Sequence, residues 1–171
     1  VVDANLSAQA LATALRLAGQ HKLLVAADPT SVQLAPRLRP HLGSLNLITP
    51  NLAEAEVLAE MSIGNRNQAM RAARKLVRQG VGAVIITMGL DGLVYASPNE
   101  RGSVPPIQAE VVDYTGADEA LLAAVVYGLV NNMPLDEAVR LGIAAALLTM
   151  QCHETVCPNL SLERLYDHLV I

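Results

Sequence analysis

Residues 113–119, Asp-Tyr-Thr-Gly-Ala-Asp-Glu, put a turn-forming acid, two small residues and a pair of carboxylates just ahead of the apolar run 120–130. The pattern predicts a helix that starts near Ala117. Backbone N–H groups in a helix's first turn have no partner inside the helix, and small residues such as Gly116 and Ala117 let an anion approach them. A carboxylate in that turn can take a proton from an attacking hydroxyl. Anion binding beside a base is the chemistry of phosphoryl transfer. Asp118 opposes it, because a negative charge and a Cβ both stand where a phosphate must come close.

Three other polar or glycine-bearing segments close apolar runs: Asp28-Pro29, Pro50-Asn51 and Thr87-Met88-Gly89. In open α/β sheets, ligands sit outside the carboxyl ends of the strands. Singly, each segment reads as a turn, a hairpin or a helix cap, and Glu54 or Glu119 as an acid favoured by a helix dipole. Together, and in this order at strand ends, they suggest one binding edge. Tyr114 reads as a packing residue with an exposed hydroxyl. Cys152 and Cys157 flank His153, but a metal would need two further ligands at matching spacing, so the expectation is two free thiols in a reducing cytoplasm.

The elements that must position these residues follow from periodicity. Ser7 caps a helix reaching Gln20, and Lys22–Ala27 is a short buried strand. A short helix follows at 32–38, then a strand over Leu45–Thr49 and helices over Leu52–Met61 and Asn67–Gln79. Ala83–Thr87 is a strand that turns through Gly89 and Gly92 into Leu93–Ala96, and Ile107–Val112 is another. Helices at 117–131, 135–150 and 161–169 complete the chain, the last capped by Ser161. The alternation argues for an α/β fold, an open and mostly parallel sheet with helices on both faces, in a single domain over 1–171. Val1–Asn5 reads as the end of a buried strand with no preceding element to pair it. The expectation is that an N-terminal portion belongs before it or comes from another chain.

The 171 residues are 52% apolar yet contain no Phe and no Trp, so the core must be built from Ala, Leu, Val and Ile. A net charge of −4 argues against nucleic acid as a partner. Arg71, Arg74, Lys75 and Arg78 fall at helical spacing and read as one solvated face. The longest apolar run, 120–130, is too short for a membrane span.

The motifs together resemble the C-terminal, nucleotide-binding half of PfkB/ribokinase-type carbohydrate kinases, over essentially the whole chain. Asn51-Leu52-Ala53-Glu54 matches the family's Asn-x-x-Glu, and Thr87-Met88-Gly89-Leu90-Asp91-Gly92 its Thr-x-Gly-x-x-Gly. Residues 113–119 match the segment usually written Asp-Thr-Thr-Gly-Ala-Gly-Asp. Asp3–Leu6, Thr49–Asn51 and Val156–Ser161 are most similar to the pseudouridine kinase branch. The resemblance implies a ribokinase-like fold and ATP-dependent phosphorylation of a sugar or nucleoside hydroxyl, with the acceptor held by a missing N-terminal half and lid. It also implies a homo-oligomer as a possible assembly.

By position, the resemblance implies roles for each residue. Gly116 and Ala117 would form the anion hole and Glu119 would be the base, with Asp118 in place of the usual glycine beside it. Thr87, Gly89, Gly92 and Asn51 would contact the nucleotide. Glu54 would reach Mg2+ through its waters, and Asp113 and Thr115 would help hold K+. Glu119 departs from the family's Asp by one methylene, a displacement of roughly 1 Å that can cost on the order of 10²-fold in rate. The alternative is a catalytically degenerate nucleotide-binding or interaction module. A dinucleotide-dependent oxidoreductase is disfavoured, since no Gly-x-Gly-x-x-Gly follows an early strand.

Overall fold

The computed structural model describes residues 1–89, 91–105 and 110–169, and the chain divides into two compact units, Val1–Pro106 and Ile107–Ile171. The first unit holds a six-stranded sheet in sequence order. Strands β1 (Val2–Asp3), β2 (Ala26–Asp28), β3 (Leu47–Ile48) and β4 (Ala83–Thr87) are parallel, with Val2 opposite Ala27, Ala26 opposite Leu47 and Leu47 opposite Ala83. Strands β5 (Leu93–Ala96) and β6 (Arg101–Val104) return antiparallel, Thr87 facing Leu93 and Leu93 facing Val104. The expected mostly parallel sheet is present, and β6 is an addition. Its Arg-Gly-Ser-Val sequence lacks apolar alternation because it lies at the sheet's margin, held by backbone pairing to β5.

Helix α1 (Ala8–Gln20) is capped by Ser7, whose hydroxyl accepts from the Ala10 amide at 3.2 Å, and buries Leu11 and Leu15. The strand expected over Lys22–Ala27 is confined to Ala26–Asp28. Lys22 adopts a positive φ, Leu23 and Leu24 are exposed, and the Val25 amide donates to Asn46 Oδ1 rather than to a ladder. The helix expected at 32–38 is instead a 3-10 segment, Ala35–Ser44. Pro40 inside it has no N–H and its ring clashes with an α-helical turn, which accounts for the tighter winding.

Helix α2 (Leu52–Ala59) and α3 (Arg66–Arg78) follow the sequence closely. In α3 the buried positions Ala69, Ala72, Ala73 and Leu76 repeat at three- and four-residue intervals, the spacing of one helix face. Arg71, Arg74 and Arg78 are exposed and Lys75 is half-buried, the solvated face expected of them. One core joins Leu58 and Leu76 of these helices to Ile48, Val84, Ile86 and Val94 of the sheet.

In the second unit, α4 (Ala117–Val130) packs on α5 (Leu135–Met150), and α6 (Leu162–Asp167) closes the group with Ser161 as its cap. Close approach rests on small residues. A Cβ on Gly128 would stand 2.8 Å from that of Ala138, and one on Gly142 would stand 2.7 Å from Val125 Cγ2. Of the strand expected at Ile107–Val112, residues 107–109 lie outside the described residues, and Val111 and Val112 are not in a strand. Instead, the Val112 and Asp113 amides both donate to the Met150 carbonyl, at 2.8 and 3.2 Å. Among the described residues, no helix is long and apolar enough to cross a membrane.

Candidate functional site

In the first unit the candidate residues gather at the carboxyl ends of β3 and β4. Asn51 leaves β3 in an extended conformation and caps α2. Its Oδ1 accepts from the Glu54 amide at 3.0 Å, and Glu54 Oε2 accepts from the Asn51 amide at 3.0 Å. This reciprocal pair satisfies two amides that the helix itself cannot serve. Glu54 is only 6% exposed, so the cap holds its carboxylate in place on the protein side. Next to it, the Thr87 amide donates to the Pro50 carbonyl at 3.0 Å, and Asn51 and Thr87 form a parallel bridge. Two motifs far apart in sequence are thereby set side by side.

Beyond Thr87 the chain reverses through residues 88–92. The Met88 amide donates to the Gly92 carbonyl at 2.9 Å, Asp91 to Met88 at 3.2 Å and Gly92 to Gly89 at 3.2 Å. Gly89 and Gly92 both have positive φ, +59° and +85°. They differ in surroundings: a Cβ on Gly89 would meet nothing within 4 Å, whereas one on Gly92 would fall on the carbonyl oxygens of Val104 and Pro105. Leu90 lies outside the described residues. Since the amides of Met88, Asp91 and Gly92 serve the turn itself, they are not idle donors for an anion.

A residue not singled out from the sequence meets this turn. Arg66, the first residue of α3, donates from Nη2 to the Asp91 carbonyl at 2.6 Å. The signal was available: a cation in a helix's first turn stands at the wrong end of the dipole, a placement worth about 0.3–1 kcal/mol against it, and that turn holds no acid to offset it. Arg66 also lines a cleft of about 270 Å³ with Leu52, Ile63, Asn65, Met88 and Asp91.

In the second unit, Asp113 Oδ1 accepts from both the Thr115 amide, at 2.9 Å, and the Thr115 hydroxyl, at 2.8 Å. These Thr115 bonds hold the Asp113 carboxyl below its ordinary value, with smaller help from the Tyr114 amide and His153. Gly116 occupies the cap of α4 at φ +88° with no side-chain cap, and a Cβ there would fall on the Thr155 carbonyl oxygen. The Ala117 amide donates to the Tyr114 carbonyl at 3.2 Å. An anion must therefore compete for it. Asp118 and Glu119 lie in the first turn of α4 and are both exposed. Tyr114 is exposed as well, so packing is not what retains its ring.

The expectation of two free thiols is corrected: Cys152 and Cys157 form a disulfide across a loop whose ends lie 5.8 Å apart at Cα. Spacing alone does not reveal that the chain turns back after α5 and brings these two residues within bonding range. No cluster of three His, Cys, Asp or Glu able to hold a metal occurs among the described residues.

The family model described as pfkB family carbohydrate kinase matches residues 1–161. Among curated relatives, the pseudouridine kinase of Escherichia coli K12 is 31% identical over 163 residues, 95% of this chain and 51% of the relative. The ribokinase of Haemophilus influenzae is 28% identical, covering 80% of this chain and 44% of the relative. A putative sugar kinase from Clostridium perfringens superposes with a TM-score of 0.91 at 25% identity, over 98% of this chain and 53% of that one. The ribokinase of Thermotoga maritima superposes at 0.79, with 25% identity, over 98% and 55%. The chain spans about half the length of the curated relatives it matches.

Proposed function

The chain belongs to the pfkB family of carbohydrate kinases, and on that premise we propose that it carries the nucleotide site and the base of an ATP-dependent kinase that phosphorylates a hydroxyl of a sugar or nucleoside. Pseudouridine is the leading acceptor, on the strength of the 31% identity to a pseudouridine kinase. The observation that carries the reading is the junction of Asn51 with Thr87: a capped helix start and a glycine turn meet at the ends of two adjacent parallel strands. Such an edge is where α/β folds hold ligands.

Each residue then has a task it is chemically suited to. Glu119 takes the proton of the acceptor hydroxyl as that oxygen attacks the terminal phosphorus of ATP in line, and ADP leaves. The first-turn amides at Gly116 and Ala117 face the charge that builds on the phosphoryl oxygens, the kind of fixed dipole that contributes several kcal/mol. Gly89 and Gly92 let the backbone turn close to the nucleotide, beside Thr87 and Asn51. Bound Mg2+ would neutralise phosphate charge. Glu54, whose buried carboxylate the α2 cap holds, fits an ion held mainly by phosphates and waters rather than by a protein cage. Asp113 and Thr115 offer oxygen donors of the kind a hard cation such as K+ takes.

A second reading, a nucleotide-binding or interaction module without turnover, is favoured by Asp118 and Glu119 standing together in the first turn of α4. Calorimetric titration with Mg-ATP on the chain as it stands, joined by an ADP-release assay with the acceptor-binding half supplied, for the native sequence and for Asp118→Gly and Glu119→Asp, separates the two. Binding in the native chain with pseudouridine-dependent ADP release supports the kinase. Binding with ADP release only in the variants supports the module, and no binding in any form refutes the site.

A further inference from the structure

Resting on the nucleotide-site reading, the geometry points to Arg66 as a ligand for the nucleotide's polyphosphate, held in position by its bond to the glycine turn. Four observations converge on it. First, the amides of Met88, Asp91 and Gly92 are engaged within the turn, so a phosphate there would have to compete for them. Second, Arg66 is the cation among the residues lining the adjoining cleft, and Leu52 and Met88, which immediately follow Asn51 and Thr87, line that cleft too. Third, Nη2 of Arg66 is fixed 2.6 Å from the Asp91 carbonyl. A guanidinium carries five N–H donors on a rigid plane, so one bond to the turn orients the group and leaves the others able to reach an anion.

The fourth observation is the location. Arg66 opens a 13-residue helix with no acid in its first turn, where its charge is opposed by the helix dipole. A carbonyl is a neutral acceptor, so the bond to Asp91 orients the guanidinium without neutralising it, and an anion at this place would remove the conflict with the dipole. Two other arginines of the first unit are engaged elsewhere: Arg37 donates to the Ala4 and Leu6 carbonyls, and Arg39 pairs with Glu60. Asp91 supplies a carbonyl to Arg66 and also an exposed carboxylate to the same cleft. That carboxylate sets the charge balance against which the guanidinium works.

The test compares ATP with adenosine, which has the same base and sugar and no phosphate, on the wild-type chain and on Arg66→Ala, Arg66→Lys and Asp91→Asn. The inference expects Arg66→Ala to weaken ATP binding about tenfold or more while leaving adenosine unchanged, and to flatten the salt dependence. Lys restores the charge without the fork, so Arg66→Lys lies between. Asp91→Asn keeps the accepting carbonyl and removes a negative charge, so ATP binds several-fold tighter. Unchanged ATP affinity in Arg66→Ala overturns this inference alone, and so does an equal loss for ATP and adenosine, which marks a structural role. A wild-type chain that binds no ATP refutes the nucleotide site and this inference with it.

Discussion

The two glycines of the β4–β5 turn provide a matched test of what the site's backbone demands. Gly89→Ala and Gly92→Ala introduce the same methyl group three residues apart, each at a positive φ. A left-handed conformation costs an L residue about 1–2 kcal/mol. That is the whole expected cost at Gly89, where the new Cβ meets nothing within 4 Å. At Gly92 the Cβ falls on two backbone carbonyls, Val104 and Pro105, at the far end of β6. Backbone cannot rotate away as a side chain can, so relieving the overlap adds about 1–3 kcal/mol. Urea denaturation of both variants beside the native chain reads the difference directly as a shift in midpoint at constant slope. Gly92→Ala should be the less stable by about 1–3 kcal/mol. Equal losses would refute the reasoning, because they would mean that the Val104–Pro105 strand end yields freely. The same pair sorts stability from function. Gly89→Ala faces open space, so a loss of Mg-ATP affinity in that variant, well folded, reports a ligand at the turn.

Three further outcomes follow from the candidate residues. Asn51→Ala removes the side-chain half of the α2 cap and should cost about 1 kcal/mol of stability. Glu54→Gln keeps an acceptor in the capping box, so the α2 cap should survive the change. Calorimetry then isolates the carboxylate's charge, whose loss should weaken Mg-ATP; unaltered Mg-ATP affinity would assign Glu54 to the cap alone. Thr115→Val deletes one of the two strong bonds to Asp113, so an NMR titration should find the Asp113 carboxyl raised toward its ordinary value of 3.8. In the native chain this group is lowered on folding. Its contribution to stability is therefore present above the ordinary value and is lost as pH falls through the folded value. In Thr115→Val the acid loss from this group should be smaller and should be complete at a higher pH.

Helices were legible in the sequence where an apolar period met a capping residue, as at Ser7 and Ser161; the caps Asn51 and Asn65 emerge only from the structure. Strands were legible as apolar runs but not in length, because their ends are set by neighbours. Val25 looks like strand and instead serves the Asn46 side chain, a partner 21 residues away. Arg101–Val104 looks like loop and is a strand because β5 offers it a ladder. The disulfide was illegible for the same reason, since it depends on how the chain leaves α5. For the candidate site, residue types and order were readable, whereas the use already made of each polar atom was not.

That use bears on chemistry. In the first unit Asn51 and Glu54 satisfy each other's amides and the Met88, Asp91 and Gly92 amides serve their turn; in the second, Ala117 donates to Tyr114. A site whose donors and acceptors are pre-engaged is rigid before a ligand arrives, which is what electrostatic preorganisation requires. It also has fewer uncommitted donors to offer an anion than the bare motifs suggest. The deficit bears most on a polyphosphate, where negative charge is greatest, and in the second unit Asp118 and Glu119 add negative charge of their own at the start of α4. A chain of net charge −4 that binds a polyanion must then rely on individual cations fixed at the right place. Arg66, tied to Asp91, meets that requirement by position rather than by number, and its removal should matter more to phosphate than to fold.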